Sequence, residues 1–218
     1  MRLSDFIGKY WAGAEVMYGV IIAMSFTSVL RSQQSIPESV LNTTVAAALS
    51  CCIAWGIADG LFYNWERRYI TNQENKIIQF SKSAQENESA ISFIGNQLDD
   101  TILRTINEDD RHQLYQRLVE YLSKVDVKES RSWQQILIII GGTFLLSTGA
   151  GLIVVIPFRL IDNVEQALYV SNMLGILMLF IVGYFRSLER TFISKISVAF
   201  ASAFIGIIIT ITTIVLGG

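Results

Sequence analysis

Residues 133–156 read WQQILIIIGGTFLLSTGAGLIVVI, and this stretch decides the fold class. It contains no Asp, Glu, Lys, Arg or His. A helix needs about 20 mostly apolar residues to cross the hydrocarbon core of a bilayer, and this run meets that length. Its polarity does not alternate, which argues against the strand of a membrane barrel. Working outward, four further segments have the same character. They are Trp11–Leu30, Thr43–Trp65, Val164–Phe185 and Phe192–Leu216. The expectation is an all-α membrane protein with five transmembrane helices.

Composition agrees. Only 17% of the 218 residues are charged, against roughly 25% in soluble domains. The charges gather in residues 66–132, between the second and third spans. Three regions follow: 1–65 with spans one and two, a polar helical insert at 66–132, and 133–218 with spans three to five. The N-terminus lacks the basic, apolar and small-residue order of a cleaved signal. Cys51 and Cys52 adjoin in an apolar run and read as reduced core residues. The formal net charge of −2 gives no reason to expect a nucleic-acid partner.

Orientation is read from lysine and arginine, which favour the cytoplasmic side. With the N-terminus inside, all but Arg31 and Arg159 of the 17 basic residues fall in cytoplasmic segments. The insert is then cytoplasmic and the C-terminus lies outside. Small residues stripe several spans and suit close helix approach in lipid. They are Gly142 and Gly149; Asn172, Gly175 and Gly183; and Gly206, Thr210 and Thr213.

In the insert, Ile91, Ile94, Leu98, Ile102 and Ile106 recur at helical spacing, as do Leu114, Leu118, Tyr121 and Leu122. Glu66–Ser83 can continue the second span, with Ile77, Ile78 and Phe80 as its apolar side. Asn107 has the position of an N-cap before Glu108, Asp109 and Asp110. The expected form is a three-helix bundle or a hairpin.

Two acids within spans draw attention. Glu15 lies in span one and Asp59 in span two. An acid at mid-span costs roughly 2.5–3.5 kcal/mol on insertion scales. The two helices run in opposite directions, and both acids fall in the cytoplasmic half at similar depth, so they can face each other. Neighbouring carboxylates in a poor dielectric do not both stay charged unaided; a proton or a cation must join them. Tyr18, Tyr63 and Asn172 are candidates to line the same path. Met17 and Met24 are candidate sulfur ligands for a transition metal. The ordinary readings are an ion pair between Glu15 and Arg186 or Arg190, a structural hydrogen bond for Asp59, and packing for the methionines. In the insert, Glu108, Asp109, Asp110 and His112, the single histidine, are weaker metal candidates. Glu86, Glu88, Asp99 and Asp100 add to the acidic character, which a solvated helix face explains equally well. No Walker, EF-hand, zinc or nucleophile-elbow pattern occurs, and an enzyme is not expected.

The layout, two spans, a helical insert and three spans, resembles the vacuolar iron transporter family. Local segments carry the likeness: Glu15-Val16-Met17-Tyr18-Gly19-Val20-Ile21, Ala54-Trp55-Gly56-Ile57-Ala58-Asp59-Gly60-Leu61, Ile156-Pro157-Phe158, Ser171-Asn172 and Gly183-Tyr184. The resemblance implies proton-coupled export of ferrous iron or manganese from the cytoplasm, with the metal as cargo and no tightly bound cofactor. It also implies a homodimer. The sequence departs from the family in placing its Asp-Gly pair in span two and in lacking Glu-x-x-Glu repeats in the insert. A second class of function is a membrane scaffold that does not transport and whose insert binds a partner.

Overall fold

The computed structural model describes residues 3–32, 36–83, 87–98, 101–129 and 131–217. Its helices are α1 (Leu3–Ser28), α2 (Glu38–Ser83), α3 (Asn87–Leu98), α4 (Glu108–Leu122), α5 (Trp133–Val155), the short α6 (Pro157–Leu160), α7 (Val164–Arg186) and α8 (Phe192–Gly217). No strand occurs among the described residues. Two compact units form: residues 1–63 with 133–218, and residues 64–132.

Among the described residues, four helices are long and apolar enough to cross a membrane: α2, α5, α7 and α8. Helix α1, expected as a fifth span, is as long but falls outside that group. The reason is composition, since Glu15, Tyr18, Ser25, Thr27 and Ser28 dilute its apolar residues. It packs against α5, α7 and α8, and its polar Glu15, Thr27 and Ser28 are all buried inside the unit. A helix walled by protein needs less apolar surface than one walled by lipid. Near its start α1 breaks at Gly8, whose φ of 76° lies in the left-handed region that favours glycine.

Helix α2 runs 46 residues without interruption. At 1.5 Å per residue it is about 69 Å long, more than twice a bilayer core, so only part of it can lie in lipid. The apolar part ends near Trp65, where Glu66, Arg67 and Arg68 begin a polar half.

The small-residue faces are partly those expected. On α7, Gly175 and Gly183 are tight: an added Cβ would meet Met24 Sδ at the first and Ser202 Oγ at 2.5 Å at the second. On α5 the packed face is instead Thr143, Ser147, Ala150, Gly151 and Val154. Gly149 has no atom within 4 Å of an added Cβ. The correction follows from rotation, since the face that meets α2 is set by Gly151 against Cys52 Sγ. Both cysteines are free, Cys52 buried but Cys51 exposed, which corrects the reading of Cys51 as core. The Thr213 side chain and the acids Glu86, Asp99 and Asp100 lie outside the described residues.

In the second unit, Ala90, Ile91, Ile94, Tyr115 and Val119 form the core, with Ile77, Leu98, Leu118 and Leu122 packed on it. The apolar stripe of α3 stops at Leu98, because Ile102–Thr105 is a 3₁₀ turn and Ile102 is 81% exposed. On α4 the buried face is turned from the expected one, leaving Leu114 and Tyr121 exposed. Gly95 explains the rotation. Its missing side chain admits the Tyr115 ring, which would stand 3.3 Å from a Cβ.

Candidate functional site

Helices α1 and α2 pack as an antiparallel pair with a clear register. Trp11 meets Tyr63 edge-on with ring centroids 5.9 Å apart. Tyr18 meets Trp55 in the same manner at 5.5 Å. Farther along, Cys52 Sγ lies 3.5 Å from the carbonyl oxygen of Gly19. The two aromatic pairs lie about two turns apart on both helices. Between the two aromatic pairs, the register brings Glu15 opposite Asp59, and their carboxyl groups come within hydrogen-bonding reach.

Helix α5 closes the third side. Cβ atoms added at Gly56 and Gly60 would stand 2.7 Å from the Phe144 Cα and 2.8 Å from the Ile140 Cα. One added at Gly19 would run into the Ser147 carbonyl. Ser147 Oγ donates to the Cys52 carbonyl at 3.0 Å. Three backbones therefore converge on the carboxyl pair, and the Gly56-x-x-x-Gly60 spacing is what lets α2 approach. Sequence reasoning named Asp59-Gly60 but not this use of the glycines; the small-x-x-x-small signal was present. Thr143, Ser147 and their helix as third wall carried no signal of their own.

Glu15 is 0% exposed. Neither of its carboxylate oxygens accepts from an N–H or O–H donor, which is compatible with the Asp59 contact because two carboxylates bring only acceptors until a proton or cation joins them. Asp59 is half-buried.

The ion pair considered for Glu15 does not form. Arg186 lies instead against Tyr10, Gly13 and Met17. At 100° per residue, positions 10, 13, 17 and 24 share one face of α1, and position 15 lies nearly opposite. The same rotation removes Met17 and Met24 from the carboxyl pair: Met17 Sδ accepts from Arg186 Nη1 at 3.4 Å, and Met24 fills the notch at Gly175. Both sit in the apolar core. Asn172 lies on α7 three residues from Gly175, so it too belongs to the far side of α1. It is 5% exposed, and its amide nitrogen and oxygen lack partners. Tyr18 and Tyr63 flank the carboxyls about one turn away, Tyr63 buried with Ile7 and Ile139.

In the second unit the acids act as a helix start. Asn107 Oδ1 accepts from the Asp110 amide at 2.9 Å, and its Nδ2 donates to Asp110 Oδ2 at 2.9 Å. Glu108, Asp109 and Asp110 occupy the first turn of α4, where the helix dipole favours negative charge. His112 Nε2 lies 3.6 Å from Glu88 Oε2. No cluster of three or more His, Cys, Asp or Glu side chains suited to a metal occurs among the described residues.

No protein-family model matches this sequence, and no curated protein matches it.

Proposed function

We propose that this chain is a membrane transporter that exchanges a divalent transition metal, iron or manganese, for protons, with Glu15 and Asp59 as its binding pair. The observation that carries the reading is a fully buried carboxyl group, free of any basic partner, against a second carboxyl from the neighbouring helix. Burying one uncompensated charge is expensive, and a second carboxylate beside it raises the cost. The pair therefore holds either a proton or a cation at any moment. Competition between the two for one place is the basis of exchange. Two carboxylates match a divalent charge, and oxygen ligands suit manganese and ferrous iron; water completes the coordination.

In this reading α1 is a fifth span, sheltered by its neighbours. The N-terminus and residues 66–132 face the cytoplasm, in keeping with the distribution of Lys and Arg. The resemblance to vacuolar iron transporters supplies the ion class, the outward direction and a homodimer. The test is reconstitution into liposomes with an imposed pH gradient, following manganese and ferrous iron in parallel with calcium and magnesium. Uptake of the first two that collapses with the gradient supports the reading. Absence of flux for every ion ends it.

The scaffold reading rests on a different observation: Ile102, Leu114 and Tyr121 are exposed on the second unit. It requires a partner captured by the full-length protein and lost on Tyr121→Ser, with no metal-dependent change in thermal stability.

A further inference from the structure

Where α7 ends, the chain passes through Ser187, Leu188 and Glu189 before α8 begins at Phe192. A cleft of about 230 Å³ opens there, bounded by Tyr10, Arg186, Ser187, Glu189 and Ser202. Arg186 is its chemical centre. A guanidinium carries five N–H donors in a rigid fork, and here most of them are unspent. The group lies flat over the Tyr10 ring, its carbon 3.6 Å from the centroid. Nη1 donates only to the sulfur of Met17, a weak acceptor, and Nε is buried without a partner. No carboxylate pairs with Arg186 among the described residues, and Glu189 at the rim is no exception. Ser187 Oγ accepts from the Glu189 amide at 3.2 Å, which leaves its own O–H to donate.

The setting narrows the anion. Leu188, which lines the cleft, is 88% exposed, and Phe185 and Phe192, at the facing ends of two helices apolar enough to cross a membrane, are 78% and 66% exposed. Lys195 Nζ stands 5.9 Å over the Tyr184 ring. Apolar tips beside aromatic and basic side chains are the composition of a bilayer's headgroup layer. We infer that the Arg186 cleft binds the phosphodiester of an anionic phospholipid headgroup, with acyl chains leaving past Leu188 toward the apolar helix ends. Arginine grips a phosphate through two parallel N–H···O bonds, and Ser187 and the Tyr10 hydroxyl supply further donors. The exposed Glu189 carboxylate opposes a dianion more than a monoanion, which favours a phosphodiester over inorganic phosphate. Lipid binding here is independent of ion transport, because Arg186 of α7 packs against the face of α1 opposite Glu15.

The experiment uses the full-length protein, purified in detergent and stripped of lipid. Its thermal unfolding is followed against short-chain phosphatidylglycerol, short-chain phosphatidylcholine and inorganic phosphate. Phosphatidylglycerol is expected to raise the unfolding temperature saturably, with apparent affinity at least tenfold above that of the other two. Arg186→Gln should abolish the shift and Arg186→Lys should retain part of it. Should Arg186→Gln not fold, Tyr10→Ala at its exposed position serves instead, read by non-denaturing mass spectrometry as lost lipid adducts. An equal shift in Arg186→Gln, or undiminished adducts in Tyr10→Ala, overturns the site. An equal shift with inorganic phosphate overturns the lipid assignment and leaves a free-phosphate site.

Discussion

Gly60→Ala tests the close approach of α2 and α5 beside Asp59. The added Cβ would stand 2.5 Å from Thr143 Oγ1 and 2.8 Å from the Ile140 Cα, whereas ordinary contact begins near 3.4 Å. The threonine can rotate, but a backbone Cα cannot. The helices must therefore separate by about 0.6 Å, the difference between those two values. Forcing one methyl group into a packed site costs about 1–3 kcal/mol. For a chain of this size that lowers the unfolding temperature by about 2–12 °C, at about 2–4 °C per kcal/mol. Gly141→Ala is the matched control on α5, because an added Cβ there meets nothing within 4 Å. It should be neutral or stabilising by up to about 1 kcal/mol, the helix preference of alanine over glycine. Tryptophan fluorescence during heating of the two purified variants in one detergent gives the comparison. If Gly60→Ala melts with or above Gly141→Ala, α2 and α5 are not packed as described, and the third wall of the carboxyl site is lost with them.

Other substitutions probe the remaining assignments. Met24→Leu conserves volume in the core and should cost under about 1.5 kcal/mol, whereas Met24→Ala should cost about 2–5 kcal/mol; neither should alter manganese binding measured by calorimetry, and a loss of binding in Met24→Leu would restore sulfur as a ligand. Asn172→Leu replaces an amide whose two polar atoms are unpaired, so it should raise stability by about 1–3 kcal/mol and leave the carboxyl pair on the other face of α1 intact; a marked drop in the unfolding temperature would mean the amide has partners. Asn107→Ala removes the cap of α4 and should cost about 0.5–2 kcal/mol, visible as faster hydrogen exchange in the first turn of α4; unchanged exchange there contradicts the capping geometry.

Much of the architecture is legible from residue order because lipid imposes a simple rule: a spanning helix must be long and apolar. The level at which Glu15 and Asp59 meet is legible too, since the two helices run antiparallel and the acids lie at matching distances along them. Rotation about each helix axis is harder to read. Met17 and Met24 share a face with each other, yet two residues from Glu15 is about 200° around α1, so the methionines turn to α7 while the acid turns to α2. On α4 the expected face missed Tyr115 because only the absence of a side chain at Gly95 makes room for its ring. In the sequence Arg186 stands only as a partner for Glu15, and the cleft it lines arises from the connection between α7 and α8, which carries no periodic signal.

The fully buried Glu15 and the half-buried Asp59 are proposed to share protons and a divalent cation. Simultaneous recording of manganese entry and proton exit in liposomes, comparing the unmodified protein with Glu15→Gln, tests this sharing. Coupled movement is expected in the first, and in the variant, folded to the same extent, loss of proton movement together with at least a tenfold fall in manganese flux. Manganese and protons still moving together at unmodified rates without the Glu15 carboxylate would contradict it.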